Sequence, residues 1–227
     1  MKKILVLIFV LLSSNVLAHI EHYKMYNKIE MDIFRNGELI GHNYYFFRRK
    51  DDETIITNQI NFSVKLLGAI IFKVEGYSEE KYIKNQLVFF KSETLQNDRK
   101  KFVNLVFDKD KNKYNIKGSS YSGEASIDNI IGNWWNHKIL QTESQISPLS
   151  GSIKKQKVLF VGKESLVIDG TKYLAHKFNL KSKNLDLPQD KKLDFEIWYD
   201  PKQNLILKVA YNRLGKWEYI LKKITFN

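Results

Sequence analysis

The chain contains no cysteine, and only three prolines and three methionines among 227 residues. The missing thiols exclude a disulfide framework, thiolate catalysis, Cys-ligated zinc or iron–sulfur centres, and lipid attachment at an N-terminal cysteine. A domain of this length buries enough surface to do without disulfide staples. Scarce proline beside 13% aromatic residues excludes a disordered or linker-rich chain. Long apolar runs are lacking too: Ile4–Leu12 is far shorter than the ~20 residues that cross a bilayer as a helix. That run follows Lys2-Lys3 and precedes Ser13-Ser14-Asn15 and Val16-Leu17-Ala18, the three regions of a secretory signal peptide. We expect residues 1–18 to be removed after Ala18, residues 19–227 to form a single domain, and the protein to be periplasmic.

Lys and Arg number 37 against 25 Asp and Glu, a formal charge of +12 that becomes +10 once Lys2 and Lys3 leave with the signal. Such an excess keeps a protein soluble and draws it toward anionic surfaces, lipid head groups or an anionic cell envelope among them. The lysines are scattered, which is also the pattern of an ordinary solvated surface. No nucleic-acid recognition motif accompanies them, and export separates the chain from nucleic acid, so no nucleic-acid partner is expected.

What the sequence has in abundance is alternation. Ile29, Met31 and Ile33 alternate with Glu30 and Asp32; Ile60, Phe62 and Val64 alternate with Asn61 and Ser63; Leu193, Phe195, Ile197 and Tyr199 alternate with Asp194, Glu196 and Trp198. A period of two marks half-buried strands. Between the runs stand Asn36-Gly37, Asp51-Asp52, Lys84-Asn85, Asp108–Asn112, Asp169-Gly170, Pro201–Asn204 and Leu214-Gly215. Asn-Gly and Asp-Gly accept the positive φ of tight hairpin turns. Strands are predicted near 23–35, 39–50, 54–65, 69–77, 86–95, 101–108, 113–118, 158–168, 171–180, 192–200, 205–212 and 216–226. Short links between them imply antiparallel pairing.

Some of these strands are apolar on both faces. Tyr44 and Phe46 oppose Tyr45 and Phe47, and Leu87 and Phe89 oppose Val88 and Phe90. Two-sided burial fits a sheet curled around its contents or covered by another segment. The predicted cover is Ile127–Leu140, where Ile127, Ile130, Ile131 and Trp134 make a helical stripe with Ser126 or Asp128 as N-cap. Gly132 limits that helix to one or two turns. Residues 142–156, rich in serine, read as a loop and as the one place for a hinge. The fold class is therefore all-β with minor α: a strongly curved antiparallel meander sheet, half-barrel-like, with one short helix covering the open side.

Chemistry-bearing motifs are weak. His19, as a mature N-terminus near His22, could chelate copper, but a frayed terminus is the simpler reading. His42 and His176 share apolar faces and read as core or rim residues; His137 reads as a helix-end or loop residue. Asp108, Asp110 and Asn112 match the start of a calcium loop, yet Lys113 and Ser119 stand where glycine and glutamate belong, leaving a polar hairpin turn. Ser119–Gly123 lacks the first glycine of a serine elbow, and Gly162-Lys163 lacks the rest of a phosphate loop. Glu79-Glu80 and Asp51-Asp52-Glu53 read as solvated turn acids. No catalytic residue, metal site or cofactor is assigned.

Asn36-Gly37-Glu38-Leu39-Ile40-Gly41 near the start, Trp134-Trp135-Asn136 before the loop ending in Ser150-Gly151, and Trp198-Tyr199-Asp200 followed by Leu205, Lys208, Gly215 and Tyr219-Ile220-Leu221 form a combination. It resembles an uncharacterised, domain-of-unknown-function family of exported proteobacterial β-rich proteins, across nearly the whole mature chain. More distantly, the W-Y-D hairpin is similar to those of periplasmic half-barrels of the lipoprotein-carrier kind, which bind acyl chains in a concave sheet. This chain departs from those carriers in having no equivalent of their long lid helices and no arginine that matches a carrier site. Read on their own, Gly37 and Gly41 supply turn geometry and a bulge or close backbone approach, and Trp198 packs under a loop or exposed lysine stems.

The resulting expectation is a non-enzymatic protein that holds a lipid, acyl chain or other hydrophobic or amphipathic ligand in its concavity, lined by Tyr44, Phe46, Trp134 and Trp135. The competing reading has these residues filling a solid core in a structural or protein-interaction module of the envelope. A metal-dependent or hydrolytic enzyme is the third.

Overall fold

The computed structural model describes residues 23–227; the expected signal peptide, His19 and His22 lie outside the described residues. Fifteen strands make one sheet. In chain order they are β1 (Tyr26–Arg35), β2 (Glu38–Lys50), β3 (Glu53–Leu66), β4 (Ala69–Ile83), β5 (Gln86–Gln96), β6 (Arg99–Asp108), β7 (Lys113–Gly118), β8 (Ser122–Ser126), β9 (Ile130–Ile131), β10 (Ser144–Ile146), β11 (Ile153–Ile168), β12 (Thr171–Ser182), β13 (Asp194–Asp200), β14 (Leu205–Asn212) and β15 (Lys216–Phe226). Their spatial order is β8-β7-β6-β5-β4-β3-β2-β1-β15-β14-β13-β12-β11-β10-β9. The first and last strands thus lie side by side in the middle, and the two edges belong to the middle of the chain. The sheet is curved and not closed into a barrel. Its edges β8 and β9 are joined through the three residues 127–129, where Asn129 N and Nδ2 both donate to Ser126 O.

Every strand predicted from alternation is present, because the turns between them supply the required backbone. Asn36, Asp51, Asn85, Asn112, Asp169 and Asn204 all adopt positive φ, as short polar side chains tolerate. Asp108 closes its own hairpin by accepting from the backbone N of Asp110 and Lys111, each at 3.1 Å. All pairings are antiparallel except β9 with β10.

The helix expected over Ile127–Leu140 is not there. Ile130 and Ile131 instead spend their backbone groups on Gln145 and Ile146 of β10. Gly132 follows, and a Cβ there would overlap the Gln145 side chain. What remains helical is a single 3-10 turn, His137–Leu140, capped by Asn136 Oδ1, which accepts from Lys138 N at 3.0 Å. The stretch 142–156, expected as a loop, holds β10 and the start of β11. Among the described residues no helix is long and apolar enough to cross a membrane.

The core is the inner face of this curve. Rows of directly paired residues cross it: Met31, Asn43 and Ile60; Phe47, Ile56, Glu80, Phe90, Leu105 and Ile116; Tyr219, Val209, Ile197 and Phe178. Residues 133–139 run across that face, with Asn133, Trp135, Asn136, His137 and Ile139 buried. On the opposite face Trp198 lies beneath Lys177 Nζ and Lys208 Nζ, 4.6 and 4.9 Å from its ring. Gly41 permits the tight bend beside the β1 bulge, since a Cβ would overlap the Asn61 carbonyl oxygen and Phe62 Cβ. Those are backbone-anchored atoms that cannot yield. A Gly41→Ala variant is therefore expected to lose about 2–4 kcal/mol of stability, read as a lower urea midpoint at unchanged slope.

Candidate functional site

The enclosed side of the sheet contains one carboxylate set in an apolar row. Glu80, in β4, has Ile56 and Phe90 as its cross-strand neighbours and is 2% exposed. Alternation puts Tyr82 on the same face two residues on, and its hydroxyl donates to Glu80 Oε2 at 2.6 Å. Asn133 Nδ2 and Trp135 Nε1 donate to Oε1 at 2.6 and 3.0 Å. Burial raises the Glu80 pKa to about 7, against the lowering effect of these three donors. This corrects the reading of Glu79-Glu80 as turn acids: both lie inside a long strand.

The acid anchors the inner segment from one side. The Trp135 ring stands edge-on to Tyr23, Phe47 and Tyr82, with centroids 5.0, 5.7 and 6.1 Å away. Tyr45 Oη accepts from Trp134 N at 3.2 Å, and Tyr23 Oη accepts from His137 N at 2.9 Å. From the far wall the buried Gln156 donates to Ile139 O at 2.8 Å, while its oxygen accepts from Gln145 at 2.6 Å. Both oxygens of Glu80 are thus engaged by protein donors, and its work is to hold this segment.

Beside the segment lie two connected hollows. A smaller one of about 190 Å³ is bounded by Asn43, Asn58, Ser78, Ser92 and Tyr219, with Trp134 and Leu149 above. Ser92 Oγ fixes that roof by donating to Pro148 O at 2.5 Å. Sharing Ile60, Leu149 and Tyr219 with it is an apolar trough of about 470 Å³. Its walls come from Phe62, Val64, Phe72 and Val74 on one side and Tyr211 and Trp217 on the other. Phe62 packs edge-on to Trp217 at 5.5 Å.

Two arginines mark the trough's rim. Arg35 lies over the Trp217 ring at 5.7 Å and donates to Leu214 O. Arg213 donates to Lys192 O at 3.2 Å, and its own carbonyl accepts from Trp217 Nε1 at 2.9 Å. Beyond Arg213 is a further hollow of about 640 Å³ bordered by Lys101, Lys154, Lys191 and Lys192, with Asp190 as its one acid. Burial, then Arg213 and Lys191, hold the Lys154 pKa below the usual range. An apolar bed thus ends in concentrated positive charge.

The four residues expected to line a ligand site are not brought together. Trp134 and Trp135 are on the enclosed side, where Trp134 packs on Phe195 at 5.1 Å. Tyr44 and Phe46 point to the other face, with Lys28 Nζ 4.5 and 5.2 Å from their rings. The aromatic alternation of β2 was legible, but it is Tyr45 and Phe47 that point inward. Trough residues of β3 and β4 carried only the ordinary period of two, and Arg35 and Arg213 sit at turns where nothing local marks them.

His42 Nδ1 lies 2.7 Å from Asp32 Oδ1 on the outer face, His176 stands edge-on to Phe160 at 5.6 Å, and His137 is buried against Tyr23. Among the described residues no group of three or more His, Cys, Asp or Glu side chains is placed to hold a metal ion.

A single curved all-β sheet with an interior segment and an open apolar trough defines the structural class. The chain belongs to the family described as a domain of unknown function, DUF6134, which it matches over residues 31–222. No curated protein matches it by sequence. Among solved structures it is similar to a β-barrel-like protein of the domain of unknown function DUF1849 from Brucella abortus, at 7% identity and a TM-score of 0.61, covering 89% of this chain and 98% of that one. That likeness shows the fold. A candidate exported protein with a YmcC-like fold from Bacteroides fragilis aligns at 10% identity over 89% of this chain and 99% of that one, with a TM-score of 0.37. A candidate lipoprotein from Parabacteroides distasonis aligns at 11% identity over 89% and 96%, with a TM-score of 0.36.

Proposed function

We propose that this is an exported, periplasmic binding protein for an amphipathic ligand, whose acyl chain or similar apolar part lies in the trough while its polar, anionic end meets Arg35 and Arg213. The trough is the observation that carries this reading. Ligand sites are apolar concavities of hundreds of Å³ with a few placed polar groups, and 470 Å³ walled by Phe62, Phe72 and Trp217 with guanidiniums at the rim fits that description. Guanidinium offers a planar fork suited to a carboxylate or phosphate.

Mixed with a fluorescent fatty acid, the protein is expected to bind about one equivalent in the micromolar range or tighter. Phe72→Glu, which puts a charge at a half-buried wall position, should weaken that binding about tenfold or more. Native mass spectrometry of protein recovered from its producing cells should show a bound lipid. A correctly folded protein that takes up no acyl probe and carries no lipid would sink the reading.

A further inference from the structure

Among the described residues ten non-glycine residues adopt positive φ, and seven of them are asparagine or aspartate. Lys84 is another. The remaining two are leucines: Leu67, at φ 49° in the turn between β3 and β4, and Leu214, at φ 50° in the turn between β14 and β15. A branched side chain with no local hydrogen bond to offer is poorly suited to that backbone region. The same two residues are the most exposed large apolar side chains among the described residues, Leu67 at 100% and Leu214 at 90%. Each is thus unfavourable twice over, in backbone and in solvation. The other hairpin turns use residues that avoid the solvation cost and, Lys84 apart, the backbone cost as well.

The two turns lie at the same end of the sheet. Ile71, just beyond the first, and Leu214 both border the apolar trough. Leu66, Ile70 and Ile71 add exposed aliphatic surface next to Leu67. Positive charge surrounds them: Lys65 and Lys73 flank the first turn, Arg213 and Lys216 flank the second, and Arg35 lies beneath. Lys73 is paired with Glu75 at 2.7 Å and Lys216 with Glu218 at 3.0 Å. Lys65, Arg35 and Arg213 have no carboxylate partner within ion-pair distance among the described residues.

We infer that these leucine-tipped turns dock the protein on a lipid bilayer carrying anionic head groups. Protruding aliphatic tips on a basic rim enter the fluid boundary between head groups and acyl chains, where no shape-matched partner is needed. The unpaired cations then face the negative surface potential. The docking goes beyond the ligand reading and does not depend on it; if both hold, the trough's mouth is set against the acyl layer.

The test uses a double variant, Leu67→Asn with Leu214→Asn. Asparagine suits positive φ better than leucine, so this variant should melt at the parent's temperature or above it. The parent is expected to sediment with phosphatidylcholine vesicles containing phosphatidylglycerol, and much less with phosphatidylcholine alone. The double variant should bind the anionic vesicles about tenfold or more weakly, and Leu67→Asn alone, at a residue outside the trough lining, should weaken vesicle binding while taking up the fluorescent fatty acid in solution as the parent does. Failure of the parent to sediment, or equal sedimentation of parent and variant, would overturn the docking. So would a concentration-dependent parent dimer that the variant abolishes, since that assigns the tips to a second copy. Sedimentation without fatty-acid uptake leaves the docking standing and removes the ligand reading; uptake without sedimentation does the reverse.

Discussion

A Glu80→Gln variant is expected to lose much of the protein's stability change between pH 5 and pH 8, and to be the more stable of the two proteins at the upper end. In the fold Glu80 titrates at about 7, raised from 4.5. Between those values the native state holds a proton that the unfolded chain has released, so stability falls as pH rises through the interval. The loss is complete above about 7. At 1.36 kcal/mol per pH unit it is on the order of 3 kcal/mol. The substituted amide still offers an oxygen to Asn133 and Trp135, and the Tyr82 hydroxyl can turn to accept from its nitrogen. We therefore expect urea midpoints that coincide at pH 5 and a gain of about 1–3 kcal/mol for the variant at pH 8. Identical pH slopes in the two proteins would show that Glu80 does not titrate in this range.

Removing the other side of that contact should cost more. Trp135→Ala deletes the ring packed among Tyr23, Phe47 and Tyr82 and the indole donor to Glu80. Large-to-small changes at such positions cost about 3–5 kcal/mol. Trp135→Phe keeps most of the filling and loses only the donor, so about 1–2 kcal/mol is expected. Trp135→Phe takes away a group that lowers the Glu80 pKa while keeping the burial that raises it, so this variant should move the titration upward. Denaturant midpoints measured across pH separate the two effects, since packing loss is independent of pH and lost donation is not. A Trp135→Ala protein as stable as the parent would mean that the inner segment is not held as described.

The strands were legible because hairpins write themselves locally. Alternation assigns each face, and Asn36-Gly37 or Asp169-Gly170 states the turn within two residues. β8, β9 and β10 escaped because they are short and their pairing is decided elsewhere: Ile130 and Ile131 are strand residues only by virtue of Gln145 and Ile146. The helical stripe of Ile127, Ile130, Ile131 and Trp134 is real as a spacing. It did not make a helix because Gly132 is needed against Gln145 and the backbone donors find partners outside the segment.

The interior was harder to read. Glu80 beside Glu79 looks like a solvated pair, and only Tyr82, two residues on, hints at a buried partner; Asn133 and Trp135 reach it through the fold alone. In β2 both faces are aromatic, so periodicity could not choose between Tyr44 with Phe46 and Tyr45 with Phe47. Asn43, polar yet buried in register with Tyr45, weights the pattern the wrong way.

The central pairing of β1 with β15 has a consequence for how the molecule comes into being. Strands β1–β8 and β9–β15 can each zip up from near neighbours, but their joining waits for the final strand and a closure spanning nearly the whole polypeptide. The trough takes one wall from each half, Phe62 and Phe72 from the first, Tyr211 and Trp217 from the second. A nascent or truncated molecule therefore exposes two greasy flanks and no basin, and the basin takes shape only when β15 pairs with β1.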